Sequence, residues 1–206
     1  EMLNGNKTNF AGKTLASHGY RQTPLDNHVP IHLAALRANM IEMAAEVGDG
    51  VIFNLWPREA LPKMMEHVKI GAARAGKDWQ EIEIVNRAMI LCTNDKSKAR
   101  ELFRASFAPY YATPVYNNFL AWSGYSDAAA TISEGWSEKD RAKIGGALSD
   151  DLIDEIAIIG SADENRARIK EHAEGGVHTH ILAPLAGSAD EVAQTFAAFG
   201  GSKFSF

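Results

Sequence analysis

The chain has 206 residues, 46% hydrophobic and 23% charged, with a formal net charge of -5. This is an ordinary globular composition, long enough for one large domain or two small ones. Its basic residues are spread thinly, which argues against a nucleic-acid or anionic-membrane partner. No apolar run is long enough to cross a bilayer. Cys92 stands alone, so no disulfide can form within the chain, and a reducing cytoplasm is the expected setting.

The first residues, EMLNGNKTNF, lack an initiator Met, and EML reads as the tail of a helix; a fragment of a longer protein is expected. Residues 3–28 are polar and rich in Asn and Gly, which predicts a loop with a short hairpin around TNFAGKTL. Residues 30–35 are a short apolar strand opened by Pro30. Met40, Ile41, Ala44, Ala45 and Val47 recur at helical spacing over 37–47. DGVIFN is continuously apolar, as a buried strand would be. A long helix follows over 58–75, with Gly76 as its C-terminal stop.

Residues 82–93 form the longest strand, and 95–112 are helical. The stretch 113–150 is less regular, with at least one helix. DEIAIIG is short and apolar. Ser161 with Glu164, and Ser188 with Glu191, are capping-box pairs that open helices over 161–174 and 188–199. THILAPL lies between those helices as a last strand.

Strand and helix thus alternate four times, which means parallel strands joined by crossovers. Four such units are half of an eight-unit barrel, or a small open sheet with helices on both faces. In either fold, ligands sit at the carboxyl ends of strands, where the next helix presents unpaired N–H groups and the positive end of its dipole. Ala34 and Ala35 stand at such a turn, and Asn39 adds a side-chain donor. Small residues there either admit a phosphate or planar ring, or simply let helix and strand pack closely.

PIHLAAL followed by MIEMAAEVGDGVIFN resembles the C-terminal half of the luciferase-like monooxygenase superfamily, and within it the branch using the deazaflavin coenzyme F-420. Members of that branch commonly read Pro-Ile, an apolar pair, small residues, a helix with AGE, then Ala-Asp-Gly-Val. Those positions are here Pro30, Ile31, Ala34, Ala35, the run Ala45-Glu46-Val47-Gly48, and Asp49-Gly50-Val51. GAARAGKD at 71–78, IEIV, IIGSADENRARIKEHAEGGV at 158–177 and THILAPL continue the likeness in order across most of residues 20–199.

The resemblance implies an α/β fold, the (β/α)8 TIM barrel of the luciferase-like type. This chain would supply its fifth to eighth strands as a single domain, residues 1–206. Residues 1–28 would be a loop leading into the fifth strand, and 106–150 a variable insertion near the barrel mouth. Most catalytic side chains of the family lie in its first four strands, so none is assigned here. The coenzyme's ribityl and phosphate portion would lie against Ala34, Ala35, Leu36 and Asn39. Arg37 departs from the small residue often found there, and either reaches a phosphate or points to solvent. Asn54 and Trp56 would stand at the barrel mouth, with Trp56 flanking the substrate or ring, or acting as a lid. The aromatic segment with Tyr110, Tyr111, Tyr116, Phe119 and Trp122 would cover the mouth or a homodimer interface, or form a satellite hydrophobic cluster.

Other residues carry plainer readings. His32, between apolar neighbours, is expected to be a hydrogen-bonded core histidine rather than a contact to the ring. His178 and His180 share a face, but no third ligand has matching spacing, so no metal is expected. Asn86 and Arg87 lie within the long strand, and a polar group there needs a partner. Arg87 is read as structural, with an anion clamp as the alternative. Cys92 is a small core residue.

The functional expectation is an oxidoreductase that transfers a hydride between coenzyme F-420 and a small organic substrate. The alternatives are an FMN-dependent monooxygenase, and, from another class, a half-barrel with no catalysis of its own. An unrelated phosphate-binding barrel is a third, but APLAGSADE carries only one glycine where such a site would lie.

Overall fold

The computed structural model describes residues 2–185, 187–201 and 204–205. Glu1, the first residue of the expected EML helix tail, lies outside them; Met2–Asn4 form one 3-10 turn. Contacts divide the chain into two units, residues 1–31 and 32–206.

The first unit is a small hairpin with its flanking loop. Strands β1 (Asn9–Ala11) and β2 (Ala16–His18) pair antiparallel, with Asn9 opposite His18. The Gly12 N–H closes the turn onto the Leu15 carbonyl at 2.8 Å.

The second unit follows strand with helix. Strand β3 (His32–Ala34) leads to α1 (Ala38–Val47), β4 (Gly50–Asn54) to α2 (Leu61–Arg74), and β5 (Glu83–Cys92) to α3 (Lys96–Tyr111). Helices α4 (Pro114–Trp122), α5 (Ser126–Glu138), α6 (Arg141–Ala147) and α7 (Asp150–Ile156) come next. Then follow β6 (Ile158–Gly160), α8 (Ala162–Glu174), β7 (Thr179–Pro184) and α9 (Ala189–Ala198). The stretch 113–150, expected to be less regular with at least one helix, is mostly helical. Its aromatic and aliphatic residues are ordered by packing with one another: Tyr111, Leu120, Ile132, Ile144 and Leu152 belong to one buried cluster.

Local signals act where the chain predicts them. Ser161 with Glu164, and Ser188 with Glu191, each form a reciprocal capping box. After α2, Gly76 adopts φ 67°, and the Lys77 N–H reaches back to the Ala72 carbonyl at 3.0 Å. That left-handed residue satisfies the last carbonyls of the helix.

All pairings in the larger sheet are parallel. Residues 85–87 of β5 pair with both β4 and β7, and Ile90 pairs with both β6 and β7. A strand has two edges, so β7 takes one of them, and β4 and β6 succeed each other along the other. The repeated units therefore run β3-β4-β5-β7, the connectivity of half a (β/α)8 barrel, with α3–α7 and β6 inserted before the last unit.

The two faces of this sheet differ. Val51, Phe53 and Ile84 look one way and are buried with Ile41 and Ala44 of α1 and Met64 and Val68 of α2. Gly71 brings these helices close: a Cβ there would lie 2.1 Å from the Glu42 carbonyl oxygen. Side chains alternate along a strand, so the opposite, inner face carries His32, Ala34, Gly50, Ile52, Asn54, Glu83, Val85, Arg87, Met89, Thr179 and Ile181. At its upper end Met89 and Leu91 are covered by the inserted helices through Ala99, Phe103 and Tyr111. Among the described residues, no helix is long and apolar enough to cross a membrane.

Candidate functional site

Four places on this sheet carry polar side chains. The first is the turn from β3 into α1. The Ala35 N–H continues the ladder onto the Ile52 carbonyl at 3.1 Å, which fixes the turn at the strand's carboxyl end. Arg37 is the N-cap residue, extended at φ -127° and ψ 165°, and its side chain does not cap the helix. No acidic residue occupies the first turn. Ala34, Arg37 and Asn39 are exposed, Leu36 is partly so, and Ala35 is buried. The helix thus begins at Ala38, without a side-chain cap, shortly after the exposed Ala34 that ends β3, and carries free N–H groups and a positive dipole end.

The second place is the upper inner face, where Asn54 ends β4 and lies in register with Arg87 of β5. Arg87 Nη1 donates to Asn54 Oδ1 at 3.3 Å and also meets Met89 Sδ at 3.3 Å. Asn54 Nδ2 donates to the Tyr116 hydroxyl at 2.9 Å. Leu55 follows with φ 52°, a left-handed conformation that a branched aliphatic side chain rarely adopts. Its carbonyl accepts a 2.9 Å hydrogen bond from the Tyr111 hydroxyl. Tyr111 is fully buried, and burial pushes its hydroxyl well above the ordinary tyrosine range, so it stays a donor.

The third place is beneath the sheet's outer face. Trp56 is 3% exposed and its indole N–H donates to Asn86 Oδ1 at 2.9 Å. Asn86 Nδ2 lies 3.4 Å from His172 Nδ1. The His172 ring is 4.8 Å from Trp56 on one side and 5.8 Å from His180 on the other. Burial lowers His172 to about 3, with a smaller contribution from His180, and lowers His180 to about 4. Both imidazoles are therefore neutral at pH 7 and serve as aromatic packing.

At the amino ends of the strands, His32 Nε2 meets Glu83 Oε2 at 2.6 Å, and Thr179 Oγ1 donates to Glu83 Oε1 at 2.5 Å. Those bonds, Thr179 first and His32 second, hold the Glu83 carboxyl below its ordinary range. The His32 ring crosses Gly50 so closely that a Cβ there would lie 2.1 Å from His32 Cδ2. The glycine of Gly-Asp-Gly thus makes room for an imidazole. His178 accepts the Ile84 N–H on Nδ1 at 3.0 Å. Cys92 is buried, with Asn165 Nδ2 3.4 Å from its sulfur. Among the described residues, no group of three His, Cys, Asp or Glu side chains is arranged to hold a metal.

Of the residues singled out in the sequence, the fold therefore gathers Ala34 to Asn39 at one helix terminus and Asn54 with Arg87 on the inner face. It puts Trp56 in the hydrophobic core instead of beside either. Leu55, Glu83 and Thr179 gave no sequence signal: a leucine does not announce a left-handed backbone, and isolated Glu and Thr residues are common on strands.

A family model described as luciferase-like monooxygenase matches residues 1–179. The 5,10-methylenetetrahydromethanopterin reductase of Methanolobus tindarius is 29% identical over 184 residues, covering 88% of this chain and 56% of that protein. The enzyme of the same name from Archaeoglobus fulgidus is 25% identical over 187 residues, covering 89% and 56%. This chain spans about half the length of the curated relatives it matches.

A solved structure, the coenzyme F-420-dependent tetrahydromethanopterin reductase from Methanopyrus kandleri, superposes with a TM-score of 0.74 at 21% identity, over 96% of this chain and 58% of that one. An F-420-dependent secondary alcohol dehydrogenase bound to an F-420–acetone adduct gives 0.73 at 17% identity, over 99% and 58%. These two likenesses carry the fold, and the match over residues 1–179 carries the family: the chain belongs to the luciferase-like monooxygenases.

Proposed function

We propose that this chain works as part of a coenzyme F-420-dependent oxidoreductase, with a hydride passing between the deazaflavin and a small organic substrate. The observation that carries this reading is the N-terminus of α1, which has no side-chain cap and follows the exposed Ala34 at the carboxyl end of β3. In a family whose matched members include F-420-dependent reductases, that terminus suits the phosphate end of the coenzyme. Ala34 and Ala35 let it approach the backbone. Leu36 lines the turn, and Arg37 and Asn39 add donors. Asn54 holds the coenzyme from the inner face. The coenzyme, when bound, supplies the hydride chemistry; this chain binds and orients it. Trp56 anchors the Asn54–Leu55 turn from behind, a positioning role toward the substrate. The inserted helices shield the mouth, and the working assembly is a homodimer.

Titration of the 206-residue chain with coenzyme F-420, and separately with FMN, followed by fluorescence, tests this. Saturable binding of F-420 and not of FMN is expected, several-fold weaker in Asn39→Ala. Binding of FMN alone would move the protein to the monooxygenases, and binding of neither would leave this half without a site of its own.

A further inference from the structure

The inner face holds a cation that the α1 site does not use. Arg87 is exposed near the carboxyl end of β4, and among the described residues no carboxylate pairs with it. Its two contacts are neutral, Asn54 Oδ1 and Met89 Sδ, both made through Nη1. Asn54 is itself held by the Tyr116 hydroxyl, so the guanidinium is steered by a fixed neighbour. Nε and Nη2, the edge that grips carboxylates and phosphates through two parallel hydrogen bonds, have no protein partner among the described residues. The backbone beside it is strained at Leu55 and pinned by Tyr111, as befits a turn whose shape is enforced from outside.

From the register, Arg87 lies two strands across from Ala34 and two residues higher, roughly 12 Å from it between Cα atoms. One oxyanion cannot touch both. We propose that Arg87, oriented by Asn54, is a second anion-recognition point, taking a carboxylate or phosphate group carried by the substrate or by a remote part of the coenzyme. This rests on the reading that the inner face is the ligand side of the sheet.

The test is calorimetric titration of the 206-residue chain with inorganic phosphate and with succinate, beside Arg87→Met, Arg87→Lys and Asn54→Asp. Thermal melts check that each variant folds. Saturable binding is expected in the parent chain, weakened at least tenfold by Arg87→Met and by Asn54→Asp, which supplies an internal carboxylate, and weakened less by Arg87→Lys. Equal binding by parent and Arg87→Met, or no saturable binding by the parent at millimolar anion, overturns the proposal. F-420 titration of the same variants separates the sources. Loss of F-420 affinity in Arg87→Met assigns the anion to the coenzyme, and retained affinity assigns it to the substrate. F-420 binding without Arg87-dependent anion binding sinks this inference and leaves the coenzyme reading standing. Arg87-dependent anion binding without F-420 binding does the reverse.

Discussion

The two faces of the sheet are made by the same strands, one residue apart, and they solve opposite problems. The outer face is apolar and closed: Val51, Phe53 and Ile84 have no exposed surface, and the polar side chains admitted there, Asn86, His172 and His180, pack with Trp56 and one another. The inner face is mixed and open: Ile181 is 48% exposed, and Asn54 and Arg87 project beside it. Burial free energy accrues on the first face and recognition chemistry on the second. The contrast predicts that outer-face substitutions change stability and that those at the inner upper end change binding.

The largest effect is expected from Phe53→Ala, which empties a fully buried aromatic site between the sheet and α1. It should cost about 4 kcal/mol in urea unfolding. A loss below about 1 kcal/mol would mean that the outer face is not the core.

Acid should attack the same face next. His172 and His180 sit at about 3 and about 4 when folded, below the ordinary 6.5, so the unfolded chain binds more protons. Stability is then complete above pH 6.5 and falls as pH drops toward the folded values, by about 1.4 kcal/mol per unit for each buried ring. Melts between pH 7 and 5 should show that decline, and His172→Leu should reduce its slope, leaving the His180 contribution. A flat parent profile would contradict the buried neutral pair.

Glu83→Gln on the lower inner face removes the charge that His32 and Thr179 share, and about 1 kcal/mol is expected from chemical denaturation. The smallest change in stability belongs to Arg87→Met, within about 0.5 kcal/mol because the side chain is exposed. A Tm drop comparable to that of Phe53→Ala would make Arg87 a structural residue and erase the distinction between the faces.

Much of the architecture was legible in the linear sequence because its causes are local. The capping boxes at Ser161 and Ser188, the left-handed Gly76 and the strand–helix alternation each act within a few residues. The turn from β3 into α1 was legible as a candidate too, since ligands lie at the carboxyl ends of strands in parallel α/β folds. Three things were not. Asn54 and Trp56 are two residues apart, so strand alternation would set them on one face; the left-handed Leu55 between them ends β4, leaving Asn54 on the inner face while Trp56 packs into the core. His172 lies 86 residues from Asn86, and only the docking of α8 brings them together. Of the helices opening within 113–150, Asp140 and Ser149 cap α6 and α7, but α4 and α5 have no side-chain cap and depend on long-range burial around Tyr111 and Ile132.

By itself, the sequence determined the periodicities, the stops and starts, and the family, because each depends on neighbours in the chain or on motifs in order. Tertiary structure alone decided which side of each strand meets helices, that β4 and β6 share one edge of β5, and that Arg87 stands opposite Asn54 with its fork uncommitted. Those depend on register between strands distant in sequence, where a shift of one residue would exchange the two faces.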